Sequence, residues 1–256
     1  MQIDLNCDMG EFAAAVADGT QEQLMRSLTS VNIACGGHAG DAQTMRATIE
    51  QALRCGVAIG AHPGYADREN FGRVALRRSA EEVAESVYEQ VRVLASIAEE
   101  CGARVGHVKP HGALYNQAAR DPQLAGAIAR GVARWNRGVV MVGLAGSLML
   151  EVFRDAGFLV AAEAFADRRY EADGSLRPRR FADALIREPE EAARQVLRIV
   201  EQESVVASDG TEVTIAAQTI CIHGDTPGAA EIAARVAEAL RGAGVVLLPQ
   251  TATAQY

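Results

Sequence analysis

Lys109 is the single lysine among 25 basic side chains; every other one is an arginine. Arginine is a wide planar fork that keeps its proton, whereas lysine is a compact point charge whose proton responds to its surroundings. A chain that writes Arg wherever a cation is tolerated therefore marks position 109 as one where the compact amine is needed. His107 and His111 flank it in Gly106-His107-Val108-Lys109-Pro110-His111-Gly112. Other rare polar residues stand at the ends of short apolar runs: Asn6-Cys7-Asp8, Cys35-Gly36-Gly37-His38, Gly60-Ala61-His62-Pro63, Glu163 and His223-Gly224-Asp225. All five histidines lie on or just after such runs, so one shared site is expected.

Strand alternation refines this. Residues i, i+2 and i+4 share a face, which groups His107, Lys109 and His111, Asn6 with Asp8, and Cys221 with His223. Asp8, His38 and His62 combine carboxylate with imidazole, donors that zinc and harder divalent ions accept, although no close H-E-x-x-H spacing supports them. Asp41 reads as the cap of a helix whose free N–H groups suit a phosphate or carboxylate, and His223 to Pro227 repeats that arrangement. Asp67, Arg68, Phe71 and Arg73, then Asp167, Arg168, Arg169 and Tyr170, form Arg-rich loops able to clamp an anion. Arg177, Arg179 and Arg180 read equally well as solvated loop charge. Cys7, Cys35 and Cys221 read as small buried thiols rather than nucleophiles.

The elements that must position these groups are apolar runs at 3–7, 31–35, 57–61, 105–109, 139–144, 159–165 and 219–222, with a last one at 245–248. Helical patterns separate them at 41–55, 79–100, 113–135, 147–155, 189–202 and 227–241. A hairpin around Asp209-Gly210 joins 204–207 to 212–216, and a long polar loop runs to Glu188. Runs alternating with helices predict a parallel sheet with crossovers, and seven or eight such units in 256 residues predict one β/α barrel over 1–256, with its chemistry at the C-terminal strand ends. No G-x-G-x-x-G follows the first run and no P-loop motif occurs. A formal charge of −8 with scattered arginines argues against nucleic-acid binding. Five widely spaced cysteines without C-x-x-C, no signal-like N-terminus and no membrane-length run predict a cytoplasmic protein.

Taken together, Asp4 to Glu11, Asn32 to Asp41, Gly60 to Tyr65, Phe71-Gly72-Arg73, Val108 to Asn116, Glu163 to Tyr170 and Cys221 to Asp225 resemble the LamB/YcsF family, in family order over nearly the whole chain. Two departures stand out: Gly37, where the family commonly has a bulky residue, and Val74, where a second Arg is usual. The resemblance implies a seven-stranded β/α barrel similar to sugar-deacetylase and glycoside-hydrolase barrels. It implies cleavage of 5-oxoproline to glutamate coupled to ATP hydrolysis, with Mg²⁺, in company with subunits B and C; homo-oligomerisation stays open. The coupling has a physical reason, because the freed amine recloses a five-membered lactam at high effective concentration.

Under that scheme Lys109 neutralises charge on the transferred phosphoryl group or oxyanion, and His111 or His62 is the general base. Asp8 and Asp41 hold Mg²⁺ or orient a histidine, and Arg73 or Arg168 holds the substrate carboxylate. Asn6, Glu163, His223 and Asp225 complete the substrate site. Three alternatives remain: a metal-dependent deacetylase or amidohydrolase without ATP, Schiff-base chemistry on Lys109, and a noncatalytic lactam-binding subunit.

Overall fold

The computed structural model describes residues 1–250. Its strands are β1 (Gln2–Met9), β2 (Ser30–Ala34), β3 (Ala58–His62), β4 (Val105–Val108), β5 (Val140–Leu144), β6 (Leu159–Phe165), β7 (Ser204–Val206), β8 (Glu212–Thr214), β9 (Thr219–Cys221) and β10 (Val246–Leu247). Its helices are α1 (Ala13–Ala17), α2 (Thr20–Met25), α3 (Ala42–Cys55), α4 (Ala80–Glu100), α5 (Gly112–Ala118), α6 (Pro122–Trp135), α7 (Leu148–Asp155), α8 (Pro189–Gln202) and α9 (Ala229–Gly242). All the sequence-predicted elements recur, mostly within a residue or two. The continuous pattern at 113–135 proves to be two helices, broken where Asp121 caps α6 and Pro122 opens it. The additions are α1 and α2, too short to carry an amphipathic signature and separated by Gly19 at φ +83.

Strands β1 to β6 pair in parallel in chain order, and β9 pairs with both β6 and β1, closing a seven-stranded barrel. Strand β10 adds only to Gln2 and Ile3 of β1. The predicted hairpin is the antiparallel β7–β8 pair, outside the barrel. Outward side chains such as Leu5, Ile33, Val108, Met141 and Ile220 form the apolar layer beneath the helices. Burying that layer supplies the main folding drive, at roughly 25 cal/mol per Å². Ser79 and Glu82 form a reciprocal capping box at the start of α4, satisfying two backbone N–H groups that a bare helix end leaves unpaired. Among the described residues no helix is long and apolar enough to cross a membrane.

The inner face is the unusual one. Val140, Val142 and Ala161 make a small apolar cluster of their own, apart from the main core. Opposite them the lumen is polar, and every layer is hydrogen-bonded across strands, as buried polar groups must be. At the bottom Asp4 accepts from Thr29, Ser30 and Thr219 at 2.6, 3.0 and 2.5 Å. One layer up, Asn6 Nδ2 donates to Thr219 Oγ1 at 2.7 Å and to Glu163 Oε1 at 3.0 Å, and Asn32 Nδ2 donates to Asn6 Oδ1 at 2.8 Å. His107 donates from Nε2 to Asn32 Oδ1 at 2.8 Å, and its Nδ1 is left without a partner. Gly60 permits this: a Cβ there would overlap the imidazole.

Candidate active site

Above these layers, at the C-terminal mouth, lies a cavity of about 470 Å³. Its floor is built around Lys109, the residue after β4, whose ammonium lies 2.9 Å from Asp8 Oδ1 and 2.9 Å from Glu163 Oε1. Cys221 Sγ follows at 3.1 Å and Asn6 Oδ1 at 3.5 Å. Burial opposes the charge on Lys109, but the carboxylates of Asp8 and Glu163 outweigh it and hold the amine well above its ordinary pKa. Burial likewise opposes an ionised Asp8, yet the Lys109 ammonium beside it keeps its carboxyl well below the usual range. Burial pushes the Cys221 thiol far up, so this sulfur is neutral. Tyr115, from α5, donates to Glu163 Oε2 at 2.8 Å and fixes that carboxylate from the other side.

One wall is aromatic nitrogen. His62, at the end of β3, donates from Nδ1 to the Lys109 carbonyl at 2.8 Å, while its Nε2 lies 3.3 Å from Asp8 Oδ2. His111, at the N-terminal cap of α5, donates from Nε2 to the Phe71 carbonyl at 2.9 Å. The two unspoken-for nitrogens, His62 Nε2 and His111 Nδ1, face each other at 3.0 Å. His38 stacks on His111 with ring centroids 3.6 Å apart and planes 4° from parallel. Such contact needs small neighbours: a Cβ on Gly72, which sits at φ +61, would come within 2.7 Å of the His38 Cβ. Glu11, in the turn after β1, accepts from His38 Nε2 at 3.1 Å and lies 3.4 Å from His111 Nδ1. Burial, then the Asp8 charge, push Glu11 up to about 7.

The opposite wall is basic. The loop after β6 folds back over the mouth, pinned by bridges from Arg168 to Leu185 and from Tyr170 to Leu176, and by the fully buried Tyr170, whose hydroxyl accepts from the Phe165 N–H at 2.8 Å. It carries Arg168, which is 6% exposed and lines the cavity. Arg168 donates to the Arg177 carbonyl at 2.6 Å, but its Nε has no acceptor and it forms no ion pair among the described residues. Burial and the neighbouring Arg179 push it down to about 10. Nearer the rim, Asp225 binds Arg73 at 2.6 Å and Arg179 at 2.9 Å. His223 completes the ring, its Nδ1 held 2.9 Å from the buried Asp167, with its flat face stacked on Phe165. Asp167 also accepts from Thr226 at 2.5 Å, which leaves His223 Nε2 as the ring's free nitrogen.

The family model for the LamB/YcsF family matches residues 3–255. The chain belongs to the LamB/YcsF family. Among curated relatives, the A subunit of 5-oxoprolinase from Chloroflexus aggregans is 50% identical over 247 residues, covering 96% of this chain and 98% of that one. The protein of the same name from Tolumonas auensis is 50% identical over 244 residues, covering 95% and 97%. The crystal structure of the lactam utilization protein from Thermus thermophilus superposes with a TM-score of 0.90 at 42% identity, over 97% of this chain and 99% of that one. At these identities the seven-stranded barrel is shared throughout the matched length.

Within this LamB/YcsF barrel the structure gathers most of the expected residues. Asp8, His62, Lys109, His111, Arg73, Arg168, His223 and Asp225 all line the one cavity, with Asn6 and Glu163 directly beneath its floor. Three expectations change. Asp41 is a helix cap and nothing more here: exposed, it accepts from the Thr44 N–H at 2.8 Å and does not line the cavity, so it is in no position for catalysis or for Mg²⁺. His38 is buried behind His111 rather than beside Asp8, which separates it from the expected Asp8–His38–His62 metal set. Lys109 is no free cation awaiting a phosphoryl group, because two carboxylates already neutralise it.

Sequence reasoning assigned no role to Glu11 or Tyr115 and placed Asp167 only in an anion-clamping loop, although each lies in a block that carries the family resemblance. The departure at Gly37 has a local explanation. Gln90 of α4 occupies the space a side chain would take and hydrogen-bonds the Gly64 backbone at 2.8 and 3.1 Å. Val74 is exposed on the loop behind Arg73, and nothing in the structure explains that departure.

Proposed function

We propose that this chain is the A component of an ATP-dependent 5-oxoprolinase, opening 5-oxo-L-proline to L-glutamate with hydrolysis of ATP, in company with subunits B and C. The observation that carries the reading is a single cavity joining a buried guanidinium, Arg168, which has no ion-pair partner among the described residues, to an ionised carboxylate flanked by imidazoles. Burying a cation without a partner is costly, so a ligand anion is the natural occupant. 5-Oxoproline carries one carboxylate and, at its other end, one amide.

With its carboxylate on Arg168, the lactam carbonyl extends toward Asp8 and the bare ring nitrogens of His62 and His111, where the attacking water is held. Asp8 accepts the water proton, and Lys109 acts by keeping Asp8 ionised and fixed. His223, oriented by Asp167, donates a proton from Nε2 to the departing ring nitrogen. ATP enters as its Mg²⁺ complex, and the Arg73–Arg179 pair forms the basic edge facing its phosphates. The γ-phosphoryl group passes from ATP to the amide oxygen and ADP leaves. Water adds at the activated carbon and the C–N bond breaks, giving the amine and an acyl phosphate. Hydrolysis of that acyl phosphate by a second water releases phosphate and removes the leaving group that reclosure needs. The reading places the reaction in the cytoplasm, where the five free cysteines stay reduced.

The test combines this chain with subunits B and C, 5-oxoproline, ATP and Mg²⁺, and measures glutamate and phosphate. Release of both in step, abolished when this chain is omitted, is expected. Arg168→Gln should raise KM for 5-oxoproline about 10- to 100-fold, the worth of a charged hydrogen bond of roughly 1.5–3 kcal/mol. It should leave a lactam without the carboxylate unaffected. Product formation independent of this chain overturns the proposal. A second reading, amide hydrolysis with a metal and no nucleotide, is favoured by one observation: the grouping of Glu11 with three imidazoles. Glutamate release without ATP would decide for it.

A further inference from the structure

We propose that Glu11, His62 and His111 form a site for one divalent transition-metal ion of the zinc or cobalt class, with His38 outside the coordination shell as the residue that positions Glu11. The first ground is the state of the rings. His62 spends its Nδ1–H on the Lys109 carbonyl and His111 spends its Nε2–H on the Phe71 carbonyl. Metal-bound histidines are held in this way, the second nitrogen fixed by a backbone acceptor so that the first presents its lone pair. Two such lone pairs meet here, buried and 3.0 Å apart. They repel unless something positive lies between them.

The second ground is spacing. With metal–ligand bonds of about 2.1 Å, neighbouring donors stand about 3.0 Å apart in an octahedron and about 3.4 Å apart in a tetrahedron. The separation of His62 Nε2 from His111 Nδ1 is 3.0 Å, and that of His111 Nδ1 from Glu11 Oε1 is 3.4 Å. One ligand atom from each of Glu11, His38, His62 and His111 falls within 4.8 Å of all the others, so these four residues are the candidates.

The third ground removes His38 from that set. An imidazole lone pair lies in the plane of its ring, and an ion bonded to it must lie close to that plane. The rings of His38 and His111 are parallel within 4° and 3.6 Å apart. An ion shared between them would sit out of plane by about half that separation, ~1.8 Å, too far for either bond of normal length. His38 also does not line the cavity, whereas Glu11, His62 and His111 all do. Its 3.1 Å contact from Nε2 to Glu11 Oε1 is that of a group holding a ligand in place. The result is two imidazoles and one carboxylate, a set with a coordination position open to the cavity beside Asp8, as in hydrolytic metal sites. Imidazole donors select zinc-like ions over magnesium, which makes this site distinct from the nucleotide's Mg²⁺.

The experiment uses the full chain alone, stripped with a chelator and then titrated with Zn²⁺ by calorimetry and with Co²⁺ by visible absorption. One ion per chain, with Co²⁺ ligand-field bands and no displacement by millimolar Mg²⁺, is expected. His111→Gln should abolish the Co²⁺ bands, whereas His38→Gln should keep them and weaken binding about 10- to 100-fold, the usual effect of losing an outer hydrogen-bond partner. Circular dichroism of each apo variant separates loss of the site from loss of the fold. Wild-type chain that takes up no stoichiometric Zn²⁺ or Co²⁺ overturns the proposal, because a shared proton then suffices between the two rings. Loss of the bands in His38→Gln with retention in His111→Gln overturns the assignment of the ligands. Neither result depends on lactam turnover, so the site can fail while the proposed reaction stands.

Discussion

Replacing Lys109 by Met tests whether the floor of the cavity is held together electrostatically. Its side chain is 3% exposed and its ammonium lies 2.9 Å from each of two carboxylates, on β1 and β6, the strands that flank β9. Methionine keeps the length of the side chain and removes the charge, so packing is nearly conserved. Breaking one buried ion pair costs about 3–5 kcal/mol, since the surviving charge is stranded. Two pairs are broken here, but the costs do not simply add. Glu163 keeps its bonds from Tyr115 at 2.8 Å and Asn6 at 3.0 Å, and Asp8 keeps that from Asn32 at 2.9 Å. A net loss of about 4 kcal/mol is expected, a large share of the roughly 5–15 kcal/mol that holds a domain folded. Urea unfolding followed by the single tryptophan, Trp135, and by circular dichroism measures it. Adding Glu163→Gln removes one stranded charge, and about half of the loss should return, although neither variant should turn over lactam. If Lys109→Met costs under about 1 kcal/mol, or Glu163→Gln deepens the loss, the charge triad is not what holds this floor.

Two further outcomes follow from the layer below. Gly60→Ala would drive a Cβ into the His107 ring at the point where the β3–β4 register shifts, so an overpacking loss of about 1–3 kcal/mol is expected in the native chain. In a His107→Ala background the same change should cost well under 1 kcal/mol; equal costs in both backgrounds would show that the ring is not the obstacle. Burial, then the charge of Lys109, push His107 down to about 4. The unfolded chain therefore takes up a proton near pH 6.5 that the folded chain refuses until about pH 4. Stability from this residue is whole above pH 6.5 and falls as the pH drops toward 4, by about 1.4 kcal/mol per unit and about 3 kcal/mol in all. Denaturation midpoints of wild type and His107→Gln across pH 4–7 measure the difference, and parallel profiles would contradict a buried neutral ring.

How far the site could be read in advance follows from what strand alternation determines. It decides which side chains of one strand enter the lumen, and it placed Asn6 with Asp8 and His107 with Lys109 correctly. It says nothing about which strand lies opposite, and the decisive contacts are of that kind: Asp8 and Lys109 are 101 residues apart, Asn6 and Glu163 157. Lys109 could be singled out by its rarity, but its partners could not, so a residue expected to offer a free charge proves to be saturated. His111 shows the other limit. It was grouped with Lys109 by spacing, yet the strand stops at Val108 and His111 swings over the mouth as a helix cap, onto the stack with His38. Glu11 lies past the end of β1, after Gly10 at φ +71, where no periodicity applies. Only closure of the barrel carries that carboxylate to the imidazoles. Residue types in such a family announce that acids, imidazoles and an amine will meet; whether a given charge is free or neutralised, and whether a given imidazole can reach an ion, depends on ring planes and cross-barrel neighbours that come into being with the fold.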